Sequence, residues 1–206
     1  MLKIWGRTNS INVQKVLWTC AELNLKYDRV DAGMQFGVNN TPEYLAMNPN
    51  GLVPTIEDDG FNLWESHAIV RYLARKHGAG TLWPSDPKVC ADADRWMEWY
   101  STTLWGNLRP VFWNLVRVAP EKRDMALVEE SRKKLAGNFD IVNKHLAGRP
   151  YLAGSSLTMG DIPMGVAVHR WFLLPIERPK YPNLEGYYER LKRRPGFAEH
   201  CAGPLS

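Results

Sequence analysis

Apolar residues follow two different rhythms along this chain, and the change comes near residue 78. Leu2–Trp5 is a short apolar run closed by the polar turn 6–10, which reads as a strand. Val13, Val16, Leu17 and Cys20 then recur at spacings of three and four, one face of a helix. Residues 27–31 suit a second strand. Thr41-Pro42 has the form of a helix start, a capping hydroxyl followed by proline at the first helical position. Asn48-Pro49-Asn50-Gly51 is a turn signal, and two short strands follow it, Thr55–Asp58 and Phe61–Trp64, joined through the hairpin dipeptide Asp59-Gly60. Ile69, Val70, Leu73 and Ala74 mark a further helix. The predicted order is β-α-β-α-β-β-α.

Residues 78–87 break this pattern with Gly78, Gly80, Pro84 and Pro87, the composition of a linker. Beyond it the period is helical throughout. Val89, Trp96, Tyr100 and Leu104 share one face, as do Val128, Leu135, Phe139, Val142 and Leu146. The chain therefore divides into an α/β unit over 1–77, a linker over 78–87 and an all-helical unit over 88–206. The first unit is small for a self-sufficient core and is expected to lean on the second. Thr158-Met159-Gly160-Asp161 matches a capping box, with Leu157 and Ile162 placed for a hydrophobic staple. That cap accounts for Asp161 without a catalytic role. Residues 166–174 are apolar nearly all round, as in a central buried helix.

Composition narrows the function classes. The 206 residues are 45% hydrophobic and 23% charged, which is ordinary for a soluble globular protein. Nine tryptophans point first to cores and subunit interfaces. Three cysteines without a CxxC argue for a reducing compartment and against a disulfide or metal scaffold. His67 and His169 have no companions at ligand spacing, so no metal is expected. No basic and apolar leader follows Met1, and no apolar run is long enough to span a bilayer. The net charge of +4 comes from basic residues interleaved with acidic ones until Arg190, Lys192, Arg193 and Arg194. That cluster reads as the solvated face of a C-terminal helix, not a nucleic-acid footprint. A mildly basic surface still favours a small anionic substrate.

Candidate chemistry concentrates in residues 48–66. Val53-Pro54 stands just before a strand, where proline removes a ladder donor, so the preceding turn must be special and a cis bond is a natural solution. Such a turn leaves the Val53 N–H and C=O outward, free to pair with an extended peptide. A plain turn-then-strand is the alternative. Ten residues on, Trp64-Glu65-Ser66-His67 opens a helix whose N-terminus suits a carboxylate. A Ser66 hydroxyl donor and a Glu65 acceptor together fit an α-amino acid terminus, although Ser66 as a simple helix cap also suits the pattern.

Taken jointly, NPNGLVPTI, a hairpin and then ESHAIVRYLA resemble the glutathione site of the cytosolic glutathione transferases. The resemblance runs over essentially the whole chain, including the linker and the SLTMGD capping box. It implies a thioredoxin-like N-terminal domain followed by an all-α C-terminal domain, glutathione as co-substrate, a cytoplasmic location and a homodimer. By that match Val53, at Val53-Pro54, pairs with the cysteinyl backbone of glutathione, while Glu65 and Ser66 hold the γ-glutamyl end. Arg7-Thr8-Asn9-Ser10-Ile11-Asn12 resembles the serine-type members, theta-like and related bacterial classes, with Ser10 as thiolate donor and Asn12 a second polar group nearby. A free thiol has a pKa near ~8.5, and lowering it by ~2 units takes ~3 kcal/mol of preferential thiolate stabilisation. Ser10 as a helix cap is the competing role, and the two are compatible. Leu52 stands where many members carry Lys or Gln for the glycyl carboxylate, so Gln35, Asn39, Asn40 or Arg7 must serve that end. The implied activity is conjugation of the thiolate to a small apolar electrophile in a detoxifying role. Its pocket falls to Trp105, Arg109 and Trp113, with Trp171 or Phe172 from the buried helix. Arg109 among aromatic residues calls for an anionic partner or a stacking face. Glutathione-dependent disulfide reduction and a non-catalytic interaction module are the alternatives within the same fold.

Overall fold

A computed structural model describes all residues, 1–206. Its first unit is a four-stranded sheet flanked by helices: β1 (Leu2–Trp5), α1 (Ile11–Glu22), β2 (Tyr27–Val30), α2 (Pro42–Met47), β3 (Thr55–Asp58), β4 (Phe61–Trp64) and α3 (Ser66–His77). The sheet order is β2-β1-β3-β4, with β1 parallel to β2 and antiparallel to β3, and β3 antiparallel to β4. Ile4 lies opposite Ile56, and Ile56 opposite Leu63, so one sheet face is aliphatic. Val13, Val16, Leu17 and Cys20 of α1 and Ile69 and Leu73 of α3 close over it. Thr41 caps α2 as its sequence suggests, its hydroxyl accepting from Tyr44 N–H at 3.3 Å.

That core holds nine buried residues against 35 in a second cluster centred on the helical unit, which Ile11 and Trp18 of α1 and Val70 and Ala74 of α3 also join. Trp18 points from the far side of α1 into the helical core, edge-on to Phe197 at 4.9 Å between ring centroids. Gly165 makes the approach possible, since a Cβ there would meet the Trp18 ring at 2.8 Å. Glu22 completes the seam, accepting from Trp18 Nε1 at 2.7 Å and from Arg194 Nε at 2.8 Å. Two members of the C-terminal basic cluster are thereby committed within the chain, because Arg190 Nε also donates to Pro150 C=O at 3.0 Å.

The helical unit runs α4 (Pro87–Trp99), α5 (Trp105–Phe112), α6 (Met125–His145), α7 (Asp161–Leu173), α8 (Pro182–Lys192) and α9 (Pro195–His200). Pro87 is already the first residue of α4, capped by Asp86, whose carboxylate accepts from Lys88 N–H at 2.8 Å. Between α4 and α5 the helix widens into a π-helical turn, Tyr100–Leu104, and again after α5 at Trp113–Arg117, with Pro110 inside α5. Proline lacks the N–H for its turn, and π-helical widenings of this sort occur often where a helix lines a site. None of the helices is long and apolar enough to cross a membrane.

The capping box at 158–161 forms only half. Asp161 accepts from Thr158 N–H at 2.8 Å, but the Thr158 hydroxyl donates to the same carboxylate at 3.1 Å and does not cap the helix. Leu152 N–H at 2.9 Å and Tyr187 O–H at 3.0 Å also reach this fully buried carboxylate. Asp161 is thus a knot joining three segments, and burial lifts its pKa to about 6.

Candidate active site

A cleft of about 590 Å³ lies between the two units. The first unit lines it with residues after β1, the turn before β3 and the β4–α3 junction, placing Arg7, Ser10, Asn12, Asn39, Val53, Pro54, Glu65 and Ser66 on one wall. The opposite wall carries Trp105, Arg109 and Trp113, the expected electrophile-side residues. Trp171 is a correction. It is fully buried against Phe139, ring centroids 4.9 Å apart, and takes no part in the cleft. Adjacent residues on a helix point about 100° apart, so α7 turns Trp171 into the core and presents Arg170 to the cleft.

On the first wall the Val53–Pro54 bond is cis. Neither the N–H nor the C=O of Val53 finds a partner within the chain. The turn that presents them is held from behind. Tyr44 O–H donates to Leu52 C=O at 2.6 Å and lies 2.7 Å from Thr55 Oγ1, while Asn48 Nδ2 donates to the same two atoms at 2.8 and 3.0 Å. Asn39 Nδ2 donates to Gly51 C=O at 2.6 Å, so its side chain braces the turn from the cleft side. Gly33, at φ +87°, lets the Arg7 guanidinium close in beside Val53, since a Cβ there would meet Arg7 Nη1 at 3.0 Å. Gln35 and Asn40 are exposed and stand outside the cleft.

At the head of α3, Glu65 occupies φ +71°, ψ 111°, a backbone region that costs a non-glycine residue on the order of 1–3 kcal/mol. Such strain persists where the surroundings require it, and here it turns an exposed carboxylate towards the cleft beside Ser66. Ser66 is the first residue within the helix and not its cap, and its hydroxyl makes no hydrogen bond in the chain. Ser10 directly precedes α1, with extended backbone and only 6% exposure. Its hydroxyl likewise makes no capping bond. The N-termini of two twelve-residue helices therefore open into one cleft, each with an uncommitted serine hydroxyl.

Asn12 is positioned by a buried relay that the sequence did not announce. Its Oδ1 accepts from Lys15 Nζ at 3.0 Å. Lys15 Nζ also lies 3.0 Å from His67 Nε2 and 4.2 Å from the centre of the Tyr100 ring. Ser101 Oγ donates to Met97 C=O and contacts His67 Nδ1 at 3.0 Å. With the Ser101 proton committed, His67 Nδ1–H is the donor and Nε2 accepts from Lys15. Burial pushes His67 down to about 2 and holds Lys15 well below its usual range. The amide of Asn12 is thus oriented with its oxygen inward, which leaves Nδ2 for the cleft. The signals available were a lysine on the buried side of α1 and a histidine without metal-ligand companions.

The expected apolar pocket is apolar on one side only. Trp105, Phe112 and Trp113 supply rings, but Arg7, Arg109, Arg117 and Arg170 also border the cleft, against one acid, Glu65. Arg109 stacks on Trp113 with its guanidinium 5.8 Å from the ring centre. Arg117 and Arg170 both face the Phe112 ring, at 5.8 and 3.8 Å. Burial lowers Arg170 to about 10, and the positive charges of Arg117 and Arg7 add to the effect. Sequence reading missed Arg117 and Arg170, although an arginine in the apolar run 166–174 was a visible sign. No grouping of three or more His, Cys, Asp or Glu residues is placed to hold a metal ion.

Residues 1–75 match the family model "Glutathione S-transferase, N-terminal domain" and residues 125–190 the model "Glutathione S-transferase, C-terminal domain". The chain is 40% identical over 208 residues to Glutathione S-transferase GstB of Escherichia coli (strain K12), covering 100% of both chains. It is 26% identical to Glutathione S-transferase D6 of Drosophila melanogaster, over 98% of this chain and 92% of that one. The crystal structure of a theta class glutathione S-transferase from the citrus canker pathogen Xanthomonas axonopodis pv. citri, with glutathione bound, superposes with a TM-score of 0.96 at 42% identity, covering 100% of this chain and 99% of that one. On these matches, which span both units of the fold, the chain belongs to the glutathione S-transferase family.

Proposed function

We propose that this chain is a glutathione transferase in which Ser10 stabilises the glutathione thiolate for attack on a small electrophile. The observation that carries the reading is the Ser10 hydroxyl, uncommitted at the head of α1 and in one cleft with the unpaired Val53 main chain and with Glu65 and Ser66. Val53 pairs with the cysteinyl backbone, Ser66 and the α3 N-terminus receive the γ-glutamyl carboxylate, and Glu65 takes the ammonium. Arg7 and Asn39 stand at the glycyl end, where Leu52 offers no charge. The thiol proton leaves to solvent, and the sulfur electron pair then forms the bond to the electrophile while the leaving group departs with its own pair. Catalysis comes from positioning and thiolate stabilisation, with no covalent bond to the protein. Asn12 Nδ2, aimed by Lys15, is the second donor. The structure with glutathione bound, from a relative covering this chain end to end, supports the co-substrate.

A cytoplasmic location, a detoxifying role and a homodimer belong to the same reading. Trp96 and Tyr100 pack inside the chain, while Phe61 and Trp64 lie exposed on the edge strand β4. The functional test is a parallel panel of aryl halide conjugation and mixed-disulfide reduction, with calorimetry of glutathione binding. Conjugation supports the proposal and reduction alone would make the chain a disulfide reductase. Absence of glutathione affinity would sink both.

A further inference from the structure

The arginines of the cleft are left over after glutathione is accounted for. This chain gives other partly buried arginines carbonyl acceptors at short range. Arg178 donates to Phe172 C=O at 2.7 Å and Leu174 C=O at 2.6 Å, and Arg123 to Leu115 C=O at 2.9 Å. Arg170 is only 4% exposed, yet its one hydrogen bond is a long 3.5 Å contact from Nη2 to Asn9 C=O. Its Nε has no partner, a lack it shares with Arg7, Arg117 and Arg178, but the Arg117 side chain makes no hydrogen bond or ion pair at all, whereas both Nη atoms of Arg178 reach carbonyl groups. Buried guanidinium groups cannot shed their charge and are kept in such positions by an anion or a stacking face. Phe112 provides the face, and both guanidinium forks remain open to the cleft.

Glutathione does not use them up. Four guanidinium groups and one carboxylate leave the lining at +3. Bound glutathione thiolate, with two carboxylates, one ammonium and one thiolate, brings −2. The arginines differ in origin, although their charges are near enough to act on one another. Arg7 sits by Val53 on the peptide-binding wall, whereas Arg117 and Arg170 come from the opposite unit. Arg170 touches Asn9, the neighbour of Ser10, so its charge stands where the sulfur opens onto the second substrate.

Resting on the transferase reading, we propose that the second substrate is an electrophile bearing a carboxylate, held by Arg170 and Arg117 on either side of its approach to the sulfur. A carboxylate matches the planar guanidinium fork, and its single charge closes the balance of the cleft. Its apolar body rests on Trp105, Phe112 and Trp113. With an aryl chloride as electrophile, the thiolate pair forms the C–S bond at the chlorinated carbon and chloride leaves with the C–Cl pair.

The test pairs para-chloro-meta-nitrobenzoate with its neutral amide, each rate referred to its own uncatalysed reaction with glutathione. The wild type is expected to favour the carboxylate in kcat/KM. Losing one charge-assisted hydrogen bond should cut that carboxylate-to-amide ratio by roughly 10- to 100-fold in Arg170→Met and in Arg117→Gln. Arg117 is only half-buried, so its variant carries the test should Arg170→Met fail to fold. A wild-type ratio no higher than the uncatalysed one, or a ratio unmoved in Arg117→Gln, overturns the proposal. A parallel fall for both substrates with weakened glutathione binding would assign these arginines to glutathione and overturn it equally. Turnover of the amide without preference for the carboxylate would leave the transferase reading standing, whereas turnover of neither would remove the transferase reading as well.

Discussion

Ser10→Ala separates two roles that one hydroxyl can play at the head of a helix. A serine that caps a helix contributes about 1 kcal/mol to stability through a bond to the second or third backbone N–H. The Ser10 side chain makes no such bond, so its removal should leave the melting temperature nearly unchanged. A hydroxyl donating to a thiolate is a charge-assisted bond worth about 1.5–3 kcal/mol, equivalent to a thiol pKa displaced by about 1–2 units. The dipole of the twelve-residue α1 and the Asn12 donor survive the substitution, so the variant keeps part of the effect. Ultraviolet titration of the bound thiolate should therefore show its pKa rising by about 1–2 units. Conjugation at neutral pH should fall roughly 10-fold or more and recover as pH is raised. Glutathione affinity above the thiol pKa should weaken with it, while affinity well below should hold. A lowered melting temperature with an unchanged thiol pKa would make Ser10 a cap and refute the assignment.

Ser66→Ala should weaken glutathione binding roughly 10-fold or more by calorimetry, through loss of a hydrogen bond to a carboxylate; unchanged affinity would mean the γ-glutamyl end lies elsewhere. Asp161→Ala strands the buried N–H groups of Leu152 and Thr158 and the Tyr187 hydroxyl, and should cost about 3–5 kcal/mol in urea unfolding. A loss under about 1 kcal/mol would show that the knot is replaceable. His67 is held down to about 2 in the folded chain from an ordinary value of 6.5. Below pH 6.5 the unfolded chain takes up a proton that the folded chain refuses, so this group subtracts ~1.4 kcal/mol per pH unit. Asp161, raised to about 6 from 3.8, acts in the opposite sense, its contribution fully present below 3.8 and lost as pH rises through 6. Both proteins retain Asp161 when wild type is compared with His67→Gln, so the difference between their stabilities should shrink steadily below pH 6.5. Parallel pH profiles would show that His67 is protonated in place.

Features carried by neighbours in sequence are legible in the chain itself. Strands and helices of the first unit follow from spacings of two, three and four among residues such as Val13, Val16 and Leu17, because the period of a backbone is local. The Thr41-Pro42 helix start and the turn at 48–51 are local chemistry in the same way. Residues 48–66 likewise announced a special turn beside a helix head, and that turn is the cis one at Val53–Pro54. The capping box at 158–161 was half legible: the carboxylate accepts its backbone N–H, but burial under Leu152 and Tyr187 redirects the Thr158 hydroxyl. What the fold alone decided is which side chains face each other across the two units. Trp171 and Arg170 are adjacent in the chain, and only the seating of α7 among its neighbouring helices sends one into the core against Phe139 and the other into the cleft. Lys15, His67 and Ser101 come from three helices, and Arg7, Arg117 and Arg170 from three distant segments. Their meeting depends on how the helical unit seats on α1, through Trp18 passing Gly165. Local sequence therefore determined a special turn beside a helix head, whereas tertiary packing determined the charge of the cleft that both border.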